Sequence, residues 1–186
     1  MNTYSVALFL HIVSALGVAV ALGLEWIGLS QLRSALLPEQ IRSWMMLLRN
    51  SNKVAFLSML VAVVTGAYMM LTVWGGVAWL YVTLGSLVLV IVLSVALSKP
   101  RMVAVGQALA KEKGPISPTL PILANHPGLW ISIQTRVAII LGIVFLKIAK
   151  PDLGQSLLAI GVAIALGVAS ALPLIRPAPV PEGSTS

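Results

Sequence analysis

The chain has no cysteine, so disulfides, thiolate metal sites and covalent c-type haem attachment are all excluded. It is almost as poor in acid, with five Asp and Glu against twelve Lys and Arg. Charged residues make up 9% of the sequence, where a soluble domain carries about 25%. No soluble core of 186 residues hides that much apolar surface, and the mean hydropathy of +1.01 places the chain in a membrane. Walker loops, Rossmann glycine patterns, HExxH and nucleophile elbows are missing too, so nucleotide-dependent and hydrolytic chemistry has no footing. The net charge of +7 does not form a nucleic-acid stripe. Its bases cluster in two segments between apolar runs, the pattern that sets membrane topology rather than DNA contact.

What is there is a series of five apolar runs, at about 4–29, 54–74, 77–98, 129–148 and 153–175. Each has the roughly 20 residues that a helix needs to cross hydrocarbon about 30 Å thick. The expected fold is therefore all-α, a polytopic transmembrane bundle of four core helices plus a fifth C-terminal transmembrane helix. Residues 1–176 form one transmembrane domain, and the Pro-, Gly- and Ser-rich tail 177–186 is expected to be disordered. The first run is read as an uncleaved span rather than a signal peptide, because no Lys or Arg precedes Arg33.

Charge between the runs gives the orientation. Arg33, Arg42, Arg49 and Lys53 separate the first two runs, and Lys99, Arg101, Lys111 and Lys113 separate the third and fourth. Only Gly75 and Gly76 join the second and third. The positive-inside rule then puts the N-terminus outside, both basic loops inside, and the C-terminus (after Arg176) inside a bacterial cytoplasmic membrane. Lys147 and Lys150 vote the other way. Aromatic residues agree with the first assignment: Tyr4, Trp74 and Trp79 fall at the outer interface, and Trp26, Trp44 and Trp130 at the inner one. Pro38 to Asn50 reads as an amphipathic helix with Ile41, Trp44, Met45 and Leu48 on one face. Residues 101–113 extend the third span to Gly114-Pro115, and a Pro-rich stretch containing Pro118, Pro121 and Pro127 follows.

Ionisable groups inside apolar runs are expensive and functional by default. His11 and Glu25 lie in the first run, fourteen residues apart, so they sit about 40° from each other around the helix and about 21 Å along it. Topology divides them into two sites. His11 lies toward the outer surface, at the depth of Tyr68, Met69, Met70 and Thr83, where an imidazole among thioethers suits haem or copper. The competing reading is a neutral histidine bonded to a carbonyl or to Tyr68. Glu25 lies near the inner boundary, where Arg136 enters from the same side. An ion pair between them would neutralise both, fixing helix register or relaying protons. His126, before Pro127, reads as a solvated loop residue.

Two rows of small residues lie in the apolar runs. Ala15, Ala19 and Gly23 in the first are expected to admit another helix closely and to make that first helix central. Gly161, Ala165 and Ala169 in the fifth form the second row, suited to tight packing or to association.

Leu10-His11-Ile12 opening a small-residue helix resembles several bacterial membrane families, among them the copper-resistance protein D superfamily and the haem-binding HemJ-type protoporphyrinogen oxidases. The chain is most similar to a bacterial integral membrane family known only as a domain of unknown function. That family shares the Trp-bounded hairpin, here Trp74-Gly75-Gly76 to Trp79-Leu80, and the Lys150-Pro151 ending of the fourth helix. The resemblance covers about the first 150 residues. It implies the helical bundle and, from the haem-binding relatives, b-type haem with His11 as axial ligand and Met69 or Met70 in the sixth position or that position open. The other expectations are a non-enzymatic accessory subunit of a larger membrane complex and a small transporter using Glu25 and Arg136. Expected partners are membrane lipids and either a membrane protein or a second copy of the chain, met through the small-residue faces. Nucleic acid is not among them.

Overall fold

The computed structural model describes residues 2–35, 37–111 and 119–175, apart from the side chains of 119 and 121. Lys113, Gly114-Pro115, Pro118, Arg176 and the tail lie outside the described residues.

Four of the long helices begin on a residue that satisfies or lacks a free N–H group of the first turn. Helix α1 (Thr3–Ser34) is capped by Asn2, whose Oδ1 accepts from the Tyr4 N–H. Helix α2 (Pro38–Met69) starts on a proline, whose missing N–H costs nothing there. It ends in a wide π turn, Met70–Trp74, and Gly75 with φ +66 reverses the chain, a conformation that glycine adopts without a Cβ clash. Helix α3 (Ala78–Leu93) passes through a second π turn, Ser94–Ser98, into α4 (Lys99–Lys111). After a short α5 (Thr119–Ala124), α6 (Pro127–Ala149) is capped by His126, and α7 (Leu153–Ala171) by Asp152, whose Oδ1 accepts from the Gln155 N–H.

Among the described residues, five helical stretches are long and apolar enough to cross a membrane: Thr3–Ser34, Pro38–Trp74, Ala78–Lys111, Ile122–Ala149 and Leu153–Leu174. The chain is a multi-pass, all-α membrane protein. The amphipathic segment at 38–50 is not a separate helix but the first turns of α2, and the third span does continue into α4. Large apolar side chains such as Phe9, Leu16, Phe56 and Leu71 face outward, as a lipid-exposed surface requires.

Helices α1 and α2 form a close antiparallel hairpin. His11 meets Gly66, Gly17 meets Ser58 and Gly28 meets Leu48, each pair one step further along the register. A Cβ on Gly17 would stand 2.4 Å from Ser58 Oγ, and one on Gly28 2.7 Å from Leu48 Cδ2. Helices α6 and α7 pair likewise, with Gly167 against the Thr135 backbone and Gly142 against Ile160 and Ala163.

The central helix is α6, which corrects the expectation for α1. Half of its most apolar window is buried, against 28% for that of α1. It buries Trp130, Ser132, Ile133, Arg136, Ile139, Ile143 and Leu146 on more than one face. The row Ala15, Ala19 and Gly23 is exposed, and nothing lies within 4 Å of a Cβ built on Gly23. Close approach to α2 uses Gly17 and Gly28 instead.

Candidate functional site: the α1–α6 seam

Helices α1 and α6 run antiparallel and meet less intimately than the two hairpins, yet the ionisable groups of both lie along their seam. From the C-terminal end of α1 toward its N-terminus, the guanidinium of Arg33 lies 4.7 Å from the centroid of the Trp130 ring, Arg136 meets Glu25, and Lys147 meets His11.

The Glu25 cluster is a two-pronged ion pair. Arg136 Nη1 donates to Glu25 Oε2 at 3.0 Å and Nη2 to Oε1 at 2.5 Å. Two further donors are used as well: Nη2 reaches Ser98 Oγ at 3.2 Å and Nε the Ser132 carbonyl at 3.3 Å. Ser98 Oγ donates to Ser132 Oγ, which in turn donates to the Leu93 carbonyl. Arg136 is 4% exposed and the Glu25 side chain 12%. This is the two-pronged geometry that suits Arg to a desolvated carboxylate. The π turn at Ser94–Ser98 inserts an extra residue into its turn, which shifts the helical phase just before Ser98.

The second cluster is built around His11. Its Nδ1 lies 2.9 Å from the Ala62 carbonyl and 3.1 Å from Thr65 Oγ1. Thr65 spends its own hydrogen on the Val61 carbonyl at 2.6 Å, so both neighbours of Nδ1 are acceptors. The proton therefore belongs on Nδ1, and Nε2 keeps a lone pair, which accepts from the ammonium of Lys147. A second cation, Lys150, sits 4.1 Å from the centroid of the Trp74 ring at the same end of the bundle. The two lysines that disturbed the charge count thus each have a specific partner.

The structure brings Glu25 and Arg136 together across 111 residues, and it gives His11 a partner that sequence reading missed. The signal existed. Lys147 follows Arg136 by eleven residues, about three turns, so it shares a face of α6 with Arg136 as His11 shares one of α1 with Glu25. Ser98 and Ser132 carried no signal, since lone serines are common in membrane helices. Met69 is buried one turn beyond Thr65 and Gly66 on the same face of α2. Met70 opens the π turn. Tyr68 is turned outward, 36% exposed, with no hydrogen bond to His11. Thr83 is buried and donates to its own helix, at the Trp79 carbonyl. His126 is not a free loop residue: its Nδ1 accepts from Arg101 Nε and from the Gly128 N–H.

As a haem site the donor set fits only in part. An Nδ1–H held by a carbonyl is how a ligating imidazole is oriented, but Nε2 faces Lys147 instead of an open position. Among the described residues, no three His, Asp or Glu side chains gather to hold a metal ion. Between the two clusters, Val18 and Leu22 of α1 lie in one buried apolar cluster and Ile139 and Ile143 of α6 in another.

Compared with protein-family models, with curated proteins and with solved structures, the chain matches none. Its class rests on the fold: a multi-pass bundle whose described residues form five helices long and apolar enough to cross a membrane. Within that class it is distinguished by two polar clamps, one near each end of a single helix–helix seam.

Proposed function

We propose that the protein is a non-enzymatic subunit of a bacterial cytoplasmic-membrane assembly, inserted with its N-terminus outside and its C-terminus inside. One observation carries this reading. The row Gly161, Ala165 and Ala169 on α7 faces outward, and nothing lies within 4 Å of a Cβ built on Gly161, while Ile160, Ala163 and Gly167 do the packing inside. A small-residue row that serves no helix of its own bundle suits close approach by a helix from another chain. The ionisable groups of the seam fit a structural part: each is paired across α1 and α6, and buried apolar residues lie between the pairs, which speaks against a carrier using Glu25 and Arg136.

The absence of native cysteine gives a clean test. Ala165→Cys, carrying a photoactivatable label in native membranes, is expected to form an adduct with a neighbouring membrane protein or a second copy of this chain. A labelled protein that stays monomeric and purifies alone in mild detergent overturns the reading.

A second reading, b-type haem held by His11, is favoured by the Nδ1 bond to the Ala62 carbonyl. It requires Lys147 to leave Nε2. Lys147→Met is then expected to raise the Soret absorbance of protein expressed with ample haem, and His11→Ala to abolish it. No Soret band in either the native protein or Lys147→Met excludes this reading.

A further inference from the structure

A groove of about 320 Å³ runs along the α1–α6 seam, with Ala19, Gly23 and Trp26 of α1 on one wall and Gln134, Val137 and Leu141 of α6 on the other. It is open because α1 presents small residues there: nothing lies within 4 Å of a Cβ built on Gly23. Among the described residues no charged side chain lines it, and Gln134 supplies its one amide. Glu25 faces Arg136, so Trp26 and Gln134 stand at one end of the groove, with Ala19 and Leu141 about 10 Å further along. Gln134 lies well inside α6, about 10 Å down the axis from Pro127, its first residue. Its side-chain amide makes no hydrogen bond among the described residues. In hydrocarbon such a group needs a partner.

The lining decides what can supply that partner. A charged occupant finds no counter-charge in the groove. The ester carbonyls of a phospholipid are tied to a headgroup at the membrane surface, about two helical turns short of Gln134. A volume of about 320 Å³ over about 10 Å of length leaves a section of about 30 Å², too narrow to seat a helix about 10 Å across. It is wide enough for one chain, and a mostly apolar cleft with one placed polar group is the usual form of a small-molecule site. What fits is an uncharged, flat head that accepts a hydrogen bond, on an apolar tail, with nothing to hold it at the surface. An isoprenoid quinone has each of these: a ring carbonyl as acceptor, a planar ring suited to lie against an indole, and a prenyl tail. We propose that the groove binds one isoprenoid quinone, its carbonyl accepting from the Gln134 amide, its ring beside Trp26 and its tail along Gly23, Ala19 and Leu141. The site shares no residue with the α7 row, and it holds the quinone without electron transfer.

Quenching of tryptophan fluorescence by decylubiquinone, titrated into the full chain in phosphatidylcholine nanodiscs, tests this. The native protein is expected to show saturable quenching by one quinone per chain, above the linear quenching that partition into lipid produces. Gln134→Leu keeps the groove and removes the donor, and is expected to weaken binding about tenfold, the worth of one hydrogen bond. Decylbenzene, which has a ring and the tail but no carbonyl, should displace the quinone only at about tenfold higher concentration than a second quinone does. Gly23→Leu fills the groove without an internal clash and abolishes the saturable part. Should that variant not accumulate, Ala19→Leu fills the groove one turn away. The proposal fails if quenching of the native chain is linear throughout, or if Gln134→Leu or a filled groove binds like the native chain. It also fails if decylbenzene competes as well as a quinone, which assigns the groove to any apolar chain. A filled groove that turns a dimer into a monomer while saturable quenching persists overturns it too, and assigns the groove to a second copy.

Discussion

Arg136 is the most buried charge in the seam, and Glu25 is what makes its burial tolerable. Two charges withdrawn from water gain by pairing only when the geometry is close and spare donors are used, and here Ser98 and the Ser132 carbonyl take up two of the donors that Glu25 leaves. Glu25→Gln and Arg136→Gln are each expected to destabilise the protein by about 3–5 kcal/mol, the cost of leaving one buried charge alone. The double variant should lose clearly less than the sum, as a double-mutant cycle read by unfolding in detergent will show. At the His11 end the asymmetry differs. Lys147→Met leaves a neutral imidazole nitrogen without a donor, at a cost of about 1–3 kcal/mol. His11→Leu strands an ammonium and is expected to cost more, and the same unfolding measurement gives the order. The Glu25–Arg136 partnership was legible from matched depth. Lys147 was read as a topology signal because it stands near the end of its run, where a lysine usually reaches for the headgroups.

At the scale of helices, glycine decides which faces touch. Gly167 and Gly161 lie on the same helix, yet a Cβ on Gly167 would come within 2.6 Å of the Thr135 backbone and one on Gly161 would meet nothing. Gly167→Ala should therefore destabilise by about 1–3 kcal/mol through overpacking. Gly161→Ala in the isolated chain should be neutral or gain up to about 1 kcal/mol from helix propensity. Thermal unfolding of the two variants side by side checks the contrast. The sequence shows small residues in both rows with equal force, because spacing reveals which residues share a face but not which way that face points. The π turns at Met70–Trp74 and Ser94–Ser98 were equally illegible. No proline or glycine marks either interior, and a helix widens there only in answer to its neighbours.

At the scale of the whole molecule, the ends of the five spans assemble into two surfaces. One carries Asn2, the Gly75 reversal, Lys150 and Asp152; the other carries Arg33, Arg101 and His126. The proposed orientation puts the first surface outside. Gln155→Cys, at an exposed site in the first turn of α7, is expected to react with an impermeant maleimide in intact cells, and Gln107→Cys on α4 only after the membrane is opened. The reverse pattern would invert the topology, leaving the two clamps in place but exchanging their leaflets.

Composition and run length were enough to establish a helical membrane protein with five candidate spans, since hydropathy over some 20 residues is a local property and a lone backbone in hydrocarbon has few alternatives to a helix. Depth followed from position in a run, and with it the separation of His11 from Glu25 and the match of Glu25 to Arg136. Only the tertiary structure decided that α6 rather than α1 stands at the centre, that Lys147 reaches His11 across 136 residues, and that Gly17, Gly28 and Gly167 do the close packing while Gly23 and Gly161 stay open. These outcomes depend on the rotation of one helix against another. That angle is set by the fit of whole faces, and no single run contains it.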